Sequence, residues 1–309
     1  MLRFLPDFIL APLMAVLLCL NVALWGGFVM VMSIPKLLLP IPAWRRLMTS
    51  IMEAGVRVWS VCNILLLRLG NRFELDIRGL DNTNPKGWYL IMANHLSWVD
   101  ILVLFGVAGG RLPLPRFFLK YELIYIPFLG LGCWAMDMPF MRRYSTAYLK
   151  KHPERKGKDI EATAKACDKL KYHPSTMINF VEGTRFTAEK RARRNSPYQY
   201  LLPPKAAGIA YTLSAMGEQF DKVLDVTLAY PGSEGHIGRD AITGKLRRIV
   251  VDVEALPVTA EVRGDYFNDV DFKRRFQGWL NDRWAIKDRK LASLTESVSA
   301  DSKVPAEQN

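Results

Sequence analysis

Histidine and cysteine are scarce in this chain, four of each in 309 residues, and their placement excludes several chemistries. Cys19, Cys62, Cys133 and Cys167 lack C-x-x-C spacing, so they encode neither a disulfide framework nor a zinc site. His152, His173 and His236 lack metal-ligand spacing and read as surface residues. No G-x-S-x-G elbow occurs, which leaves a serine hydrolase without support. Helix-turn-helix, RNA-binding and finger signatures are missing too, and the basic residues do not interleave with aromatics as in a stacking platform, so nucleic acid is not an expected partner. GLGCWA (130–135) fits G-x-G-x-x-A, but it follows no strand-like run and does not read as a dinucleotide site. No internal repeat is present.

Charge is missing altogether from Phe8 to Ile34. A helix of that length is roughly 40 Å long against roughly 30 Å of bilayer hydrocarbon, so it either spans with tilt or bends at Gly26 and Gly27 and re-enters. It is longer than a usual signal-peptide core and no small-x-small cleavage site follows. Lys36, Arg45, Arg46 and Arg57 come after the run, and the positive-inside bias puts the remainder of the chain on the cytoplasmic side. The formal charge of +12 then reads as attraction to anionic lipid headgroups, worth about 1 kcal/mol per juxtamembrane cation.

Pro35, Pro40 and Pro42 are expected to break the first helix. A second, amphipathic one follows over 45–69, with Leu47, Ile51, Ala54, Val58 and Val61 on one face at the membrane interface. From residue 73 onward short apolar runs alternate with helical stretches. FELDIRG, WYLIMA (88–93), RFFLK, TMINFV (176–181), VLDVTLAY (223–230) and RIVVDVE (248–254) read as strands. Helices are expected at 98–108, 157–172, from Lys205, and at 269–294, where Phe272, Phe276, Trp279, Leu280 and Trp284 form a stripe for core docking or membrane contact. The fold class is α/β: a mixed sheet flanked by helices, preceded by an N-terminal membrane helix and an interfacial amphipathic helix. Residues 1–69 form the membrane part, 70–294 the α/β domain, and 295–309 a disordered tail.

Two strand-end loops carry the chemistry. NHLSWVD (94–100) sets His95 five positions before Asp100, and residues five apart on one helix differ by about 140° in azimuth. His95 therefore belongs to the loop, with the helix starting near Ser97. Asp100 has two readings: partner of His95, or the N3 acid of an S-x-x-D capping box. Carboxyl ends of strands are where open α/β sheets hold ligands. The second loop, NFVEGTRF, brings Glu182, Gly183, Thr184 and Arg185, a tight turn beside a fork of donors matched to phosphate. Between the two lie Lys120, Glu122, Arg142 and Arg143; LLPPKAAG (201–208) follows.

This set resembles the glycerolipid acyltransferase family typified by 1-acylglycerol-3-phosphate acyltransferase, with its N-H-x4-D, arginine-ended, E-G-x-R and apolar proline blocks. The resemblance covers about residues 70–230; residues 138–167 and 201–210 look similar to bacterial membrane members. It implies a bacterial inner-membrane enzyme that moves an acyl group from acyl-CoA or acyl carrier protein to the sn-2 hydroxyl of lysophosphatidate or another lysophospholipid. No cofactor or metal is implied. His95 would be the general base, Asp100 would orient it, and Arg185 with Arg142 or Arg143, Glu182, Gly183 and Thr184 would bind the acceptor's phosphate and glycerol. Residues 123–141 and the first 70 are candidates to line an acyl tunnel. The rival readings are a non-enzymatic basic membrane adaptor and thioester hydrolysis through His95.

Overall fold

Alternating and continuous apolar runs become strands of two kinds in the computed structural model, which describes residues 1–81, 83–138, 140–141 and 174–301. WYLIMA yields β2 (Tyr89–Ala93), buried along its whole length as a continuous run demands. FELDIRG yields β1 (Glu74–Arg78), a half-exposed edge strand. With β3 (Pro115–Phe117), β6 (Thr176–Phe180), β7 (Lys222–Ala229) and β8 (Arg248–Pro257) they form a six-stranded sheet, order β1-β8-β7-β2-β6-β3. Only the β7–β8 pair is antiparallel. RFFLK divides between β3 and β4 (Leu119–Lys120), which pairs with β5 (Phe140–Met141) in a separate two-stranded ladder.

Successive β2 side chains go to opposite faces. Tyr89, Ile91 and Ala93 join a core with α3 (Val99–Ala108), α7 (Ile237–Ile242) and the two amino-terminal helices. Leu90 and Met92 join a second core with α6 (Ala206–Met216) and α8 (Val270–Asp301), where Phe276, Leu280 and Trp284 are almost fully buried. Burying each of these side chains is worth about 1.5–3 kcal/mol, so core docking accounts for the apolar stripe of α8. The helix runs on to Asp301, past the expected end at 294 and into the stretch expected to be disordered. The helix expected at 157–172 lies outside the described residues.

α1 (Asp7–Leu38) continues through Pro35, against expectation. That proline stands in the last turn, where the lost hydrogen bond and ring clash disturb only a helix end. Pro42 opens α2 (Pro42–Gly70) at its first turn, where no amide hydrogen is needed. Both helices are long and apolar enough to cross a membrane. They pack side by side around a buried clasp, Asn21 Nδ2 donating to Asn63 Oδ1 (3.0 Å) and to the Trp59 carbonyl (3.3 Å). α1 is also tied to the sheet domain at both ends: Asp7 pairs with Lys245, while Lys36 donates to the Ala135 carbonyl (3.0 Å) and to Asp137 (2.9 Å).

Candidate active site

β2, β6 and β7 are neighbours running in one direction, so their carboxyl ends meet at one edge. There β2 delivers Asn94 and His95, β6 delivers Val181 to Arg185, and β7 delivers Tyr230. Asn94 holds the first of these loops down: its buried side-chain amide bonds both the NH and the carbonyl of Leu228 at 2.9 Å.

His95 Nδ1 lies 2.8 Å from Asp100 Oδ2. That oxygen also accepts the backbone NH of Leu96 (2.6 Å) and of Ser97 (2.9 Å). Asp100 thus performs both expected jobs at once. It reaches back to the helix start as a capping acid does, and it bonds the imidazole from the same oxygen. The helix itself begins at Val99, with Trp98 rather than Ser97 at the cap position, and the Ser97 hydroxyl accepts the Val99 NH at 3.4 Å. Oδ1 of Asp100 receives the Tyr230 hydroxyl at 2.7 Å, and Asp100 has no exposed surface. Burial and the neighbouring Asp100 charge raise the Tyr230 phenol well above its ordinary value, so it is a hydrogen donor. The imidazole stacks on Phe180 with ring centroids 4.0 Å apart. With Nδ1 donating to Asp100, Nε2 is the basic nitrogen, and no protein group bonds it among the described residues.

Glu182 is fully buried beneath the second loop, accepting the His95 NH (3.3 Å) and the Leu202 NH (3.2 Å) on its two oxygens. Burial pushes its carboxyl up to about 8, with the two amides and Lys287 opposing the rise. It positions backbone on both sides of the site and does not face the cavity. Gly183 turns the chain at φ +68°, where a Cβ would sit 3.3 Å from the Lys205 side chain. Thr184 Oγ1 and the Arg185 carbonyl accept from Lys190 Nζ at 3.1 and 2.9 Å. The Arg185 side chain is exposed and unpaired among the described residues. Arg142 and Arg143 lie outside the described residues.

A cavity of about 1000 Å³ connects these groups, at the upper end of the usual size for a ligand pocket. One part of its wall is polar: His95, Thr184, Arg185, Lys190, Lys205 and Lys120. The remainder is apolar, drawn from α1 (Val22, Val29), α2 (Trp59) and the 117–140 stretch (Phe117, Phe128, Met136). The two sequence regions expected to line a tunnel are both on this wall. Cys133 is on it as well, yet burial pushes its thiol up to about 12, so no thiolate is available there. Among the described residues no cluster of His, Cys, Asp and Glu is arranged to hold a metal.

Tyr230, Lys190 and Lys205 were not singled out as site residues by sequence reasoning, and neither was Lys287. Tyr230 had a signal: VLDVTLAY ends in a polar aromatic at the sheet edge where WYLIMA and TMINFV also end.

The sequence model of the Acyltransferase family matches residues 74–230. Lysocardiolipin acyltransferase 1 of Gallus gallus is 26% identical over 271 residues, covering 82% of this chain and 65% of that protein, so the chain spans just under two thirds of this relative's length. The 1-acyl-sn-glycerol-3-phosphate acyltransferase alpha of Homo sapiens is 24% identical over 168 residues, 53% of this chain and 51% of that one. The crystal structure of the 1-acyl-sn-glycerophosphate acyltransferase PlsC from Thermotoga maritima has the same fold, with a TM-score of 0.58 at 17% identity over 93% of this chain and 95% of that chain.

Proposed function

The chain belongs to the glycerolipid acyltransferase family, and from that premise we propose that it moves a fatty acyl group from a thioester, acyl-CoA or acyl carrier protein, to the sn-2 hydroxyl of lysophosphatidate. The single observation that carries this reading is the His95–Asp100 pair, 2.8 Å apart, on a cavity that is cationic on one side and apolar on the other.

In the proposed reaction Nε2 of His95 removes the acceptor hydroxyl proton as that oxygen attacks the thioester carbonyl. The C–S bond breaks and the departing sulfur takes the proton from the imidazolium. Asp100 holds the tautomer and stabilises the imidazolium, as the aspartate of a serine-protease triad does, with the acceptor in place of the serine. Arg185, Lys190 and Lys205, with Lys120 on the same wall, are the described cations available to an acceptor phosphate. The apolar wall takes the acyl chain.

The membrane reading follows from α1. Its ends are about 48 Å apart, at 1.5 Å per residue over 32 residues, and both are bonded to the sheet domain. This favours a helix lying along one leaflet over one that crosses, and it brings the apolar end of the cavity to the lipid. A bacterial inner membrane with the active domain on the cytoplasmic side fits this placement.

A second acceptor is favoured by one observation: the similarity to lysocardiolipin acyltransferase 1 covers 82% and 92% of this chain in its chicken and zebrafish forms. The acceptor would then be a lysophospholipid whose phosphate is a diester. Membranes carrying the wild type or His95→Ala, given labelled acyl-CoA with lysophosphatidate, lysocardiolipin, other lysophospholipids or no acceptor, test both readings. Transfer that vanishes in the variant supports the base, and the preferred acceptor names the substrate. Equal transfer by the two proteins sinks His95 as the base, and transfer no greater than that of membranes lacking the protein returns the adaptor reading.

A further inference from the structure

α8 lies outside the stretch matched by the family, yet it reaches under both catalytic loops. Trp284 Nε1 donates to the Leu202 carbonyl at 3.1 Å. The Asp288 carboxylate accepts the NH groups of Gln199 (2.9 Å) and Tyr200 (2.7 Å). The segment 199–202 is therefore laced to α8, and the Leu202 NH is one of the two donors that hold Glu182.

Lys287 goes further in. It is 1% exposed, and its ammonium donates to the Met92 carbonyl (3.1 Å) and the Val226 carbonyl while pairing with Asp225 at 2.7 Å. Met92 pairs with Asp225, and Ala93 with Val226, in the last two steps of the β2–β7 ladder. One residue later the Asn94 side chain bonds Leu228, and then comes His95. Where β2 leaves β7, the pairing is thus completed by two side chains, Asn94 from the strand itself and Lys287 from the helix.

Stability alone does not ask for a lysine here. The position continues the stripe of Phe276, Leu280 and Trp284, and a leucine would dock the helix without the cost of burying an ammonium, which is several kcal/mol before pairing. Such a departure from local rules is expected where function requires it.

We infer that Lys287 is a positioning residue for acyl transfer: its ammonium fixes the end of β2 beneath His95 and supplies a buried cation behind Glu182. The inference rests on the acyltransferase reading above. Lys287 is faced by Asp225 from β7 and Glu182 from the loop after β6, with Arg283 and Lys290 on its own helix. Glu182 is faced by Lys287 and, from α3, by Asp100, while Arg194 bonds its backbone carbonyl. Removing the cation favours the neutral Glu182 carboxyl, whose hydroxyl oxygen accepts the His95 or Leu202 amide less well than a carboxylate oxygen does. The firm hold on the His95 backbone, and the rise of kcat that depends on it, therefore move to higher pH.

The test uses the full chain in lipid vesicles: wild type, His95→Ala, Lys287→Met, and Lys287→Met with Asp225→Asn. Thermal unfolding, kcat, KM and the pH profile are read for each. The double variant removes the carboxylate that the single one leaves short of a partner, so it separates folding from positioning. The expected result is a kcat lowered about tenfold or more by loss of geometry, KM near wild type, a pH profile moved upward, and a double variant that regains the melting temperature without regaining kcat. Wild-type kcat and pH profile in Lys287→Met, or recovery of kcat together with stability in the double variant, would reduce Lys287 to a structural ion pair and overturn the inference while His95→Ala stays inactive. Full activity in His95→Ala would instead remove His95 as the base, and with it the part of the acyltransferase reading on which the inference rests.

Discussion

Tyr230 and His95 bond opposite oxygens of one buried carboxylate: the phenol donates to Asp100 Oδ1 at 2.7 Å and the imidazole meets Oδ2 at 2.8 Å. The three side chains come from the ends of β7 and β2 and from the first turn of α3. The carboxylate cannot rotate without losing bonds to two strands and two backbone amides. The imidazole is held in turn by that carboxylate on its edge and by Phe180 on its face.

Tyr230→Phe removes one oxygen and leaves the ring in its buried place. A hydrogen bond to a charged group contributes about 1.5–3 kcal/mol, so kcat is expected to fall roughly 10- to 100-fold. KM should stay near the wild-type value, because Tyr230 touches neither end of the cavity. Steady-state kinetics on the phenylalanine variant check this. An unchanged kcat would mean that the amides of Leu96 and Ser97 hold Asp100 without help.

Glu182 gives a pH signature of stability. Its carboxyl titrates ordinarily near 4.5 and in the folded chain near 8. Below the lower value both states are protonated. Between the two, the folded state keeps a proton that the unfolded state releases, so stability falls as pH rises, and the loss is complete above about 8. Glu182→Gln keeps one acceptor oxygen for the two amides that the carboxylate holds on separate oxygens, a loss that does not vary with pH, and it cannot ionise. Relative to wild type it should gain stability steadily from pH 5 to 8, as measured by denaturant unfolding in detergent micelles at several pH values. A difference that is flat across that range would place the ionised carboxylate in water, contrary to its burial.

The site was half legible in the sequence, for a physical reason. His95, Asp100, Glu182 and Arg185 fall in two short segments whose spacing records local geometry: a strand end, a turn, a helix start. Asp100 as both cap and partner of His95 follows from the same five-residue spacing. Tyr230 and Lys287 act across 130 and 195 residues of chain, a separation no local pattern encodes. Lys287 nevertheless had a trace. It stands three residues after Trp284 and four before Leu291, on the buried stripe of α8, where a charged residue breaks the apolar period. Pro35 misled in the other direction, because a proline in the final turn of a helix has the same local signature as one that ends it.

The clasp between α1 and α2 supplies a third prediction. Asn63 is 1% exposed and its Nδ2 has no partner among the described residues, so Asn21 is what satisfies the other end of its amide. Asn21→Leu leaves Asn63 buried and unbonded, at a cost of about 1–3 kcal/mol. Replacing both with leucine removes the polar pair together and should recover most of that loss. Melting of the purified variants in detergent decides the matter: a double variant less stable than the single would show that the asparagines specify how the helices pair rather than merely satisfying one another.

Gly26 tests what the apolar wall is for. α1 and α4 (Leu129–Ala135) cross so closely that a Cβ at Gly26 would lie 2.8 Å from the Phe128 carbonyl oxygen and 3.0 Å from the Phe128 Cβ. Phe128, Gly130 and Gly132 share the cavity wall with Gly26. A valine there cannot be accommodated by rotating a flexible side chain, since the obstacle is backbone, so α4 has to move and the wall with it. His95 and Asp100 are held by the sheet edge and α3, and their geometry does not depend on α4. If the wall receives the acyl chain, Gly26→Val should lower kcat/KM for long-chain acyl donors about tenfold relative to short-chain donors, a discrimination of the size a few methylenes provide in an apolar pocket. Competition between labelled donors of two chain lengths measures the ratio directly. A loss shared equally by long and short donors would mean that displacing α4 disturbs the base, and the apolar wall would then have no part in selecting the chain.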